Sequence, residues 1–188
     1  MDRAALYAQA IERRRAFHLP GYTSYAQAGF EGPWTCPIQI TSGSLTGPVL
    51  MTKDWLDFPS AGLHRDVLLQ LGYLPGIPFN TVVDKALALA GLTRADIYIT
   101  PVFKLMPANR SYPISSADVR ASLDAVTRHE IMGRPVVAAG QDAVRALRAA
   151  GIPHIATPHP SARGQDFDSR ARVLALALAN AIRAGGSC

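Results

Sequence analysis

Four short apolar runs constrain this chain most: PVLMT at 48–52, DIYITPVF at 96–103, RPVVAAG at 134–140 and PHIATP at 153–158. Each has the length and apolar character of a buried strand. Helical patterns lie between and after them, at 63–72, about 80–91, 115–131, 141–150 and 167–184. Strands that alternate with helices predict a parallel sheet, because each crossover is right-handed and covers one face of that sheet. The expected fold is α/β, a three-layer αβα sandwich around a central, mostly parallel four-stranded sheet in a single domain over 1–188. Within it, 1–47 supplies an N-terminal helix and an irregular Pro-, Gly- and Thr-rich wrap, and 48–184 the α/β core. With 188 residues, 48% of them hydrophobic, the chain suffices for one well-buried core and is short for two. Local signals agree: Ser115 with Asp118 forms a helix start, and Gly91 and Gly151 are expected left-handed helix ends.

Composition removes several classes of function. Cys36 and Cys188 are the only cysteines, too few for a four-ligand metal or iron–sulfur site and for a disulfide scaffold. No metal ion or cofactor is expected. No stretch reaches the roughly twenty apolar residues of a membrane span, and the N-terminus lacks a leader pattern. The expectation is a cytoplasmic, monomeric protein without a membrane partner. A net charge of +5, with arginine dominating the basic residues, favours an anionic partner. Arg13, Arg14 and Arg15 read as the solvated end of a helix, and His18, His64, His129 and His154 as structural or surface residues without metal-ligand spacing.

Ligands of such sheets sit beyond the carboxyl ends of the strands. The loops there are TKDWLDFP after the first strand, KLMPANR after the second and HPSARG after the last. They should gather Lys53, Asp54, Asp57, Lys104, Asn109, Arg110, His159, Ser161 and Arg163 at one edge. An acid, a histidine and several cations in one cleft are the ingredients of an enzyme site. The loop after the third strand, GQDAVRAL, reads as a helix start instead.

The order VLMTKDWLDF, GIPFNTVVDKALALAGLTRADIYITPVFKLMPANR, GQDAVRALRAAGIP and TPHPSARG resembles the uracil-DNA glycosylase superfamily over roughly residues 48–182. Its middle segment is similar to the thermophile-type branch, without that branch's iron–sulfur cysteines. The resemblance implies excision of uracil from DNA, single- or double-stranded, by base flipping. It places the catalytic acid at Asp54, which would orient water and stabilise a cationic sugar. It places the donor to the uracil oxygen at His159, and the aromatic surface for the extruded base at Phe79. Phosphates would be held by Lys53, Ser161, Arg163, Lys104 and Arg110, and Trp55 or Leu56 would exclude the thymine methyl.

The chain departs from that pattern in three places. Pro101 stands where many members carry a base-reading asparagine, so Asn80, and after it Asn109, become the candidate readers. Thr52 and Lys53 replace a Gly-Gln pair, and Ala162-Arg163 replaces a leucine wedge. Each residue also has an ordinary reading. Asp54 and Asn80 suit helix caps, Phe79 suits the core, and Trp55 suits packing on the N-terminal wrap. Competing functions are a glycosylase for hypoxanthine or xanthine, a nucleotide- or uracil-DNA-binding protein without activity, a lyase using Lys53, and a hydrolase using Ser161 or Ser60. The last lacks a Gly-x-Ser-x-Gly elbow.

Overall fold

The computed structural model describes residues 2–185, so Cys188 lies outside the described residues. The chain opens with α1 (Arg3–Ala16), capped by Asp2, whose side chain accepts the Ala4 N–H. A wrap follows, containing β1 (Tyr22–Thr23) and a 3-10 turn at Pro37–Ile40. β2 (Val49–Thr52) leads into α2 (Phe58–Leu63), α3 (Arg65–Leu71) and α4 (Pro78–Leu89). β3 (Tyr98–Pro101) and β4 (Met106–Pro107) precede α5 (Ser116–Ser122), which passes through a π turn at Leu123–Thr127 into α6 (Arg128–Ile131). β5 (Val136–Ala139), α7 (Gln141–Ala149), β6 (Ile155–Thr157) and α8 (Phe167–Gly185) complete it.

The central sheet is four-stranded and parallel in the order β3-β2-β5-β6, while β1 and β4 form a separate antiparallel pair. Strand alternation divides the core into two. Leu50, Ile99, Val137 and Ala139 share a cluster with α4 (Val83, Leu87), α8 (Leu174, Leu178) and the wrap. Val49, Met51, Tyr98, Val136 and Ala138 pack on the other side with Leu123, Ile131, Val144 and Leu147. These are the two helical layers expected from the alternation of elements. Among the described residues no helix is long and apolar enough to cross a membrane.

Ser115 caps α5 by accepting the Asp118 N–H, and Gly91 and Gly151 adopt the left-handed conformation beyond α4 and α7. Two expectations change. The helix read at 63–72 begins earlier, because Asp57 caps α2 and Pro59 fits its first turn, and it breaks at His64. The arginine triplet is not simply solvated. Arg14 is buried, donating to the Trp34 carbonyl at 2.9 Å and pairing with Glu31 at 3.2 Å, because the wrap crosses the end of α1 and its carbonyl needs a donor.

β3 lies on one side of β2 and β5 on the other, so strand order reverses between β2 and β5. Loops leaving these strands diverge there and open a crevice beyond their carboxyl ends.

Candidate active site

A cleft of about 810 Å³ occupies this crevice, a size typical of small-ligand sites. The loop after β2 contributes Asp54, Trp55, Leu56 and Asp57, and the loop after β6 contributes His159 and Ser161 to Gln165. The first turn of α4 adds Pro78, Phe79 and Asn80, and Pro101 and Arg110 close another wall.

The Asp54 backbone carbonyl accepts from the Thr52 hydroxyl at 3.3 Å, but its carboxylate has no hydrogen-bond partner among the described residues, and burial raises its pKa above the usual carboxylate value, with Lys53 opposing that shift. It does not cap a helix; Asp57 does, accepting the Ser60 N–H at 3.0 Å and the Ser60 hydroxyl at 2.7 Å. The two cleft acids thus separate into one engaged carboxylate and one free, poorly solvated one.

His159 is held in a single neutral tautomer. The Ser161 N–H donates to its Nδ1 at 3.1 Å, so Nδ1 is the unprotonated nitrogen and the remaining proton sits on Nε2. Burial lowers its pKa, with Asp142 acting in the opposite direction, which favours the uncharged ring. Its ring centroid lies 5.5 Å from that of Phe79, at an interplanar angle of 40°. Backbone geometry fixes the ring's position from the other side. Gly140 has φ +93°, and a Cβ there would stand 3.1 Å from both Cβ and Cδ2 of His159. Arg170, buried on α8, donates to the Pro160 carbonyl at 2.6 Å and so clasps the loop next to the histidine.

Other residues read from the sequence divide by what their polar atoms meet. Trp55 borders the cleft, yet its indole N–H donates to the Gly72 carbonyl at 2.9 Å and its ring packs edge-on against Tyr25 and Phe30. Leu56, Ser161, Arg163 and Arg110 line the cleft, and the side chains of Arg110 and Arg163 form no hydrogen bond with described residues. Asn80 is buried at the wall with both ends of its amide anchored. Lys53 pairs with Asp142 at 3.5 Å and does not line the cleft.

Two assignments need correction. Lys104 is fully buried and cannot meet a phosphate. Its ammonium lies 2.5 Å from Glu130, whose carboxylate also accepts from Tyr98 and Thr100. Asn109 is exposed outside the cleft lining, and its Oδ1 accepts the Ser111 N–H in a turn. Arg170, Gly140 and Asp142 escaped the sequence reading, and His64, read there as structural or surface, is exposed at the cleft wall. The signal for Gly140 was present as a glycine between a strand and a helix.

The sequence profile of the Uracil DNA glycosylase superfamily matches residues 65–180. The chain belongs to this superfamily. The match takes in Phe79 and His159 and begins after Asp54. Membership in the uracil DNA glycosylase superfamily supports a DNA glycosylase activity, with DNA as the partner. No curated protein matches the chain. With two cysteines in the sequence, a four-thiolate iron–sulfur cluster has no ligand set in this superfamily member.

Proposed function

We propose that the protein hydrolyses the N-glycosidic bond of uracil in DNA and leaves an abasic site. The observation that carries this reading is the free, poorly solvated carboxylate of Asp54 and the neutral imidazole of His159 on one cleft. Bond cleavage makes the sugar cationic and the departing base anionic. A carboxylate near C1′ and an N–H donor at the base oxygen stabilise those charges as they develop. Asp54 orients a water molecule toward C1′. As the C1′–N1 bond breaks, the water oxygen bonds to C1′ and its proton passes to Asp54, then by solvent to the uracil anion. Nε2–H of His159 donates to the uracil oxygen that gains charge and needs no proton transfer of its own.

The target base must leave the stack first, and Phe79 offers the surface that offsets part of that cost, at about 1–3 kcal/mol per stacked base. Arg110, Arg163 and Ser161 supply the phosphate contacts, Trp55 and Leu56 the apolar wall against a thymine methyl, and Asn80 the polar contact to the base edge. A hypoxanthine or xanthine substrate is the second reading, favoured by Pro101, which brings no side-chain hydrogen bond to the wall, and by the cleft's volume.

The test is incubation with a labelled oligonucleotide carrying one uracil, followed by alkali, beside the Asp54→Asn variant and an inosine oligonucleotide. Scission by the wild type and a loss of at least about 100-fold in the variant are expected, with DNA binding retained. Scission confined to inosine DNA would move the substrate to purines. An unchanged rate in Asp54→Asn would remove the carboxylate from the mechanism.

A further inference from the structure

Asn80 lies in the first turn of α4, and its amide meets two groups that each have one capability. A guanidinium only donates, and Arg94 Nη2 lies 2.9 Å from Asn80 Oδ1. A carbonyl only accepts, and the Leu74 oxygen lies 3.0 Å from Asn80 Nδ2. Turning the amide over would set N–H against N–H and oxygen against oxygen. Arg94 is itself held firmly. Its Nε donates to Asp84 at 2.8 Å, and its Cζ lies 3.6 Å from the centroid of the Tyr73 ring, another part of the cleft wall. Its Nη1 is buried and has no acceptor among the described residues, so Asp84 and Asn80 are the acceptors that set the guanidinium's rotation.

A carboxamide has two N–H groups and two lone-pair sites on oxygen, and here one of each remains for a ligand. Uracil presents N3–H beside a carbonyl oxygen, whereas cytosine presents an unprotonated N3 beside an amino group. An amide pairs with uracil when its oxygen faces N3, and with cytosine when its nitrogen does. A freely turning amide accepts both bases, and a pinned one accepts only the base that matches its orientation. We propose that Arg94 is a specificity-determining positioning residue, which pins Asn80 Oδ1 so that the cleft takes uracil and refuses cytosine. This inference rests on the reading of Asn80 as the residue at the base edge.

The experiment is an anisotropy titration with two oligonucleotides whose 2′-fluoro sugars resist cleavage, one carrying uracil and one cytosine at the target position. The proteins are the wild type, Arg94→Met, Arg94→Lys and Asn80→Ala. The affinity ratio within one sample is insensitive to the fraction of protein that is unfolded, so a merely structural role for Arg94 would leave it in place. The wild type is expected to prefer uracil. Arg94→Met, which keeps an apolar chain over Tyr73, should reduce the ratio about tenfold, the equivalent of one hydrogen bond of about 1.4 kcal/mol. Arg94→Lys keeps a donor and should retain most of the preference. If Asn80→Ala abolishes the preference and Arg94→Met does not, the role of Arg94 falls alone. If Asn80→Ala keeps the wild-type ratio, or the wild type has no preference, the reader is elsewhere and the inference falls with it. A uracil preference lost in both Asn80→Ala and Arg94→Met, in a protein that excises nothing, would remove the catalytic reading and leave the role of Arg94 standing.

Discussion

Replacing Gly140 by alanine tests whether the position of His159 sets the rate. With φ +93° and ψ 159°, Gly140 occupies a region that only glycine adopts without strain. A side chain there costs about 1–3 kcal/mol in the backbone. The new Cβ also stands 3.1 Å from two His159 atoms, so the imidazole must retreat by a few tenths of an ångström. Retreat is resisted by the Ser161 N–H on Nδ1 and by Arg170 on the Pro160 carbonyl. The strain should lower the melting temperature by about 2–4 °C per kcal/mol for a chain of this size. Displacement of the donor by a fraction of an ångström to one ångström should slow excision about 10- to 100-fold. Single-turnover excision at saturating enzyme measures the rate, and a thermal melt measures the strain separately. In a His159→Ala background the same substitution should slow excision no further, since the two changes act through one ring. A Gly140→Ala protein that melts lower yet excises at the wild-type rate would refute the argument, as would additive losses in the double variant.

The pH dependence follows from two opposite shifts. On the proposed mechanism activity needs Asp54 charged and His159 neutral, so the rate should fall on the acid side, with the histidine limb below its ordinary value of 6.5 because burial depresses it; initial rates across about pH 4 to 8 locate that limb. His159 contributes stability that is present above 6.5 and lost as the pH falls through its depressed folded value, so His159→Gln should flatten the acid-side loss in thermal melts. Asp54 works in the opposite sense, contributing stability below 3.8 that is lost as the pH rises through its raised value, so Asp54→Asn should melt higher than the wild type at neutral pH. Glu130→Ala strands a buried lysine and should cost about 3–5 kcal/mol in urea unfolding, whereas Lys104→Met with Glu130→Leu should recover most of that loss.

The alternation of apolar runs and helical patterns was enough to locate the four sheet strands, because burial on both faces leaves an uninterrupted apolar signal that ends at a turn. The same rule pointed to the cleft, since strand ends can be read without knowing strand order. Side-chain partners from distant segments were not legible. Lys104 looks like a loop cation until Glu130, on a helix that follows it by more than twenty residues, supplies the buried carboxylate. Arg14 looks like one of three surface charges until the wrap brings Glu31 and the Trp34 carbonyl to it. Asn80 is legible in the sequence as a neighbour of Phe79, but Arg94 is not, because the contact depends on how α4 meets the 3-10 turn at Arg94–Asp96.

α8 packs along α4 while its Arg170 grips the loop that carries His159. The aromatic wall on α4 and the histidine opposite therefore share one mechanical support. Local unfolding of α8 would separate them while the sheet persists. On heating, excision should fail before the global melting transition, and amide exchange in α8 should rise over the same interval.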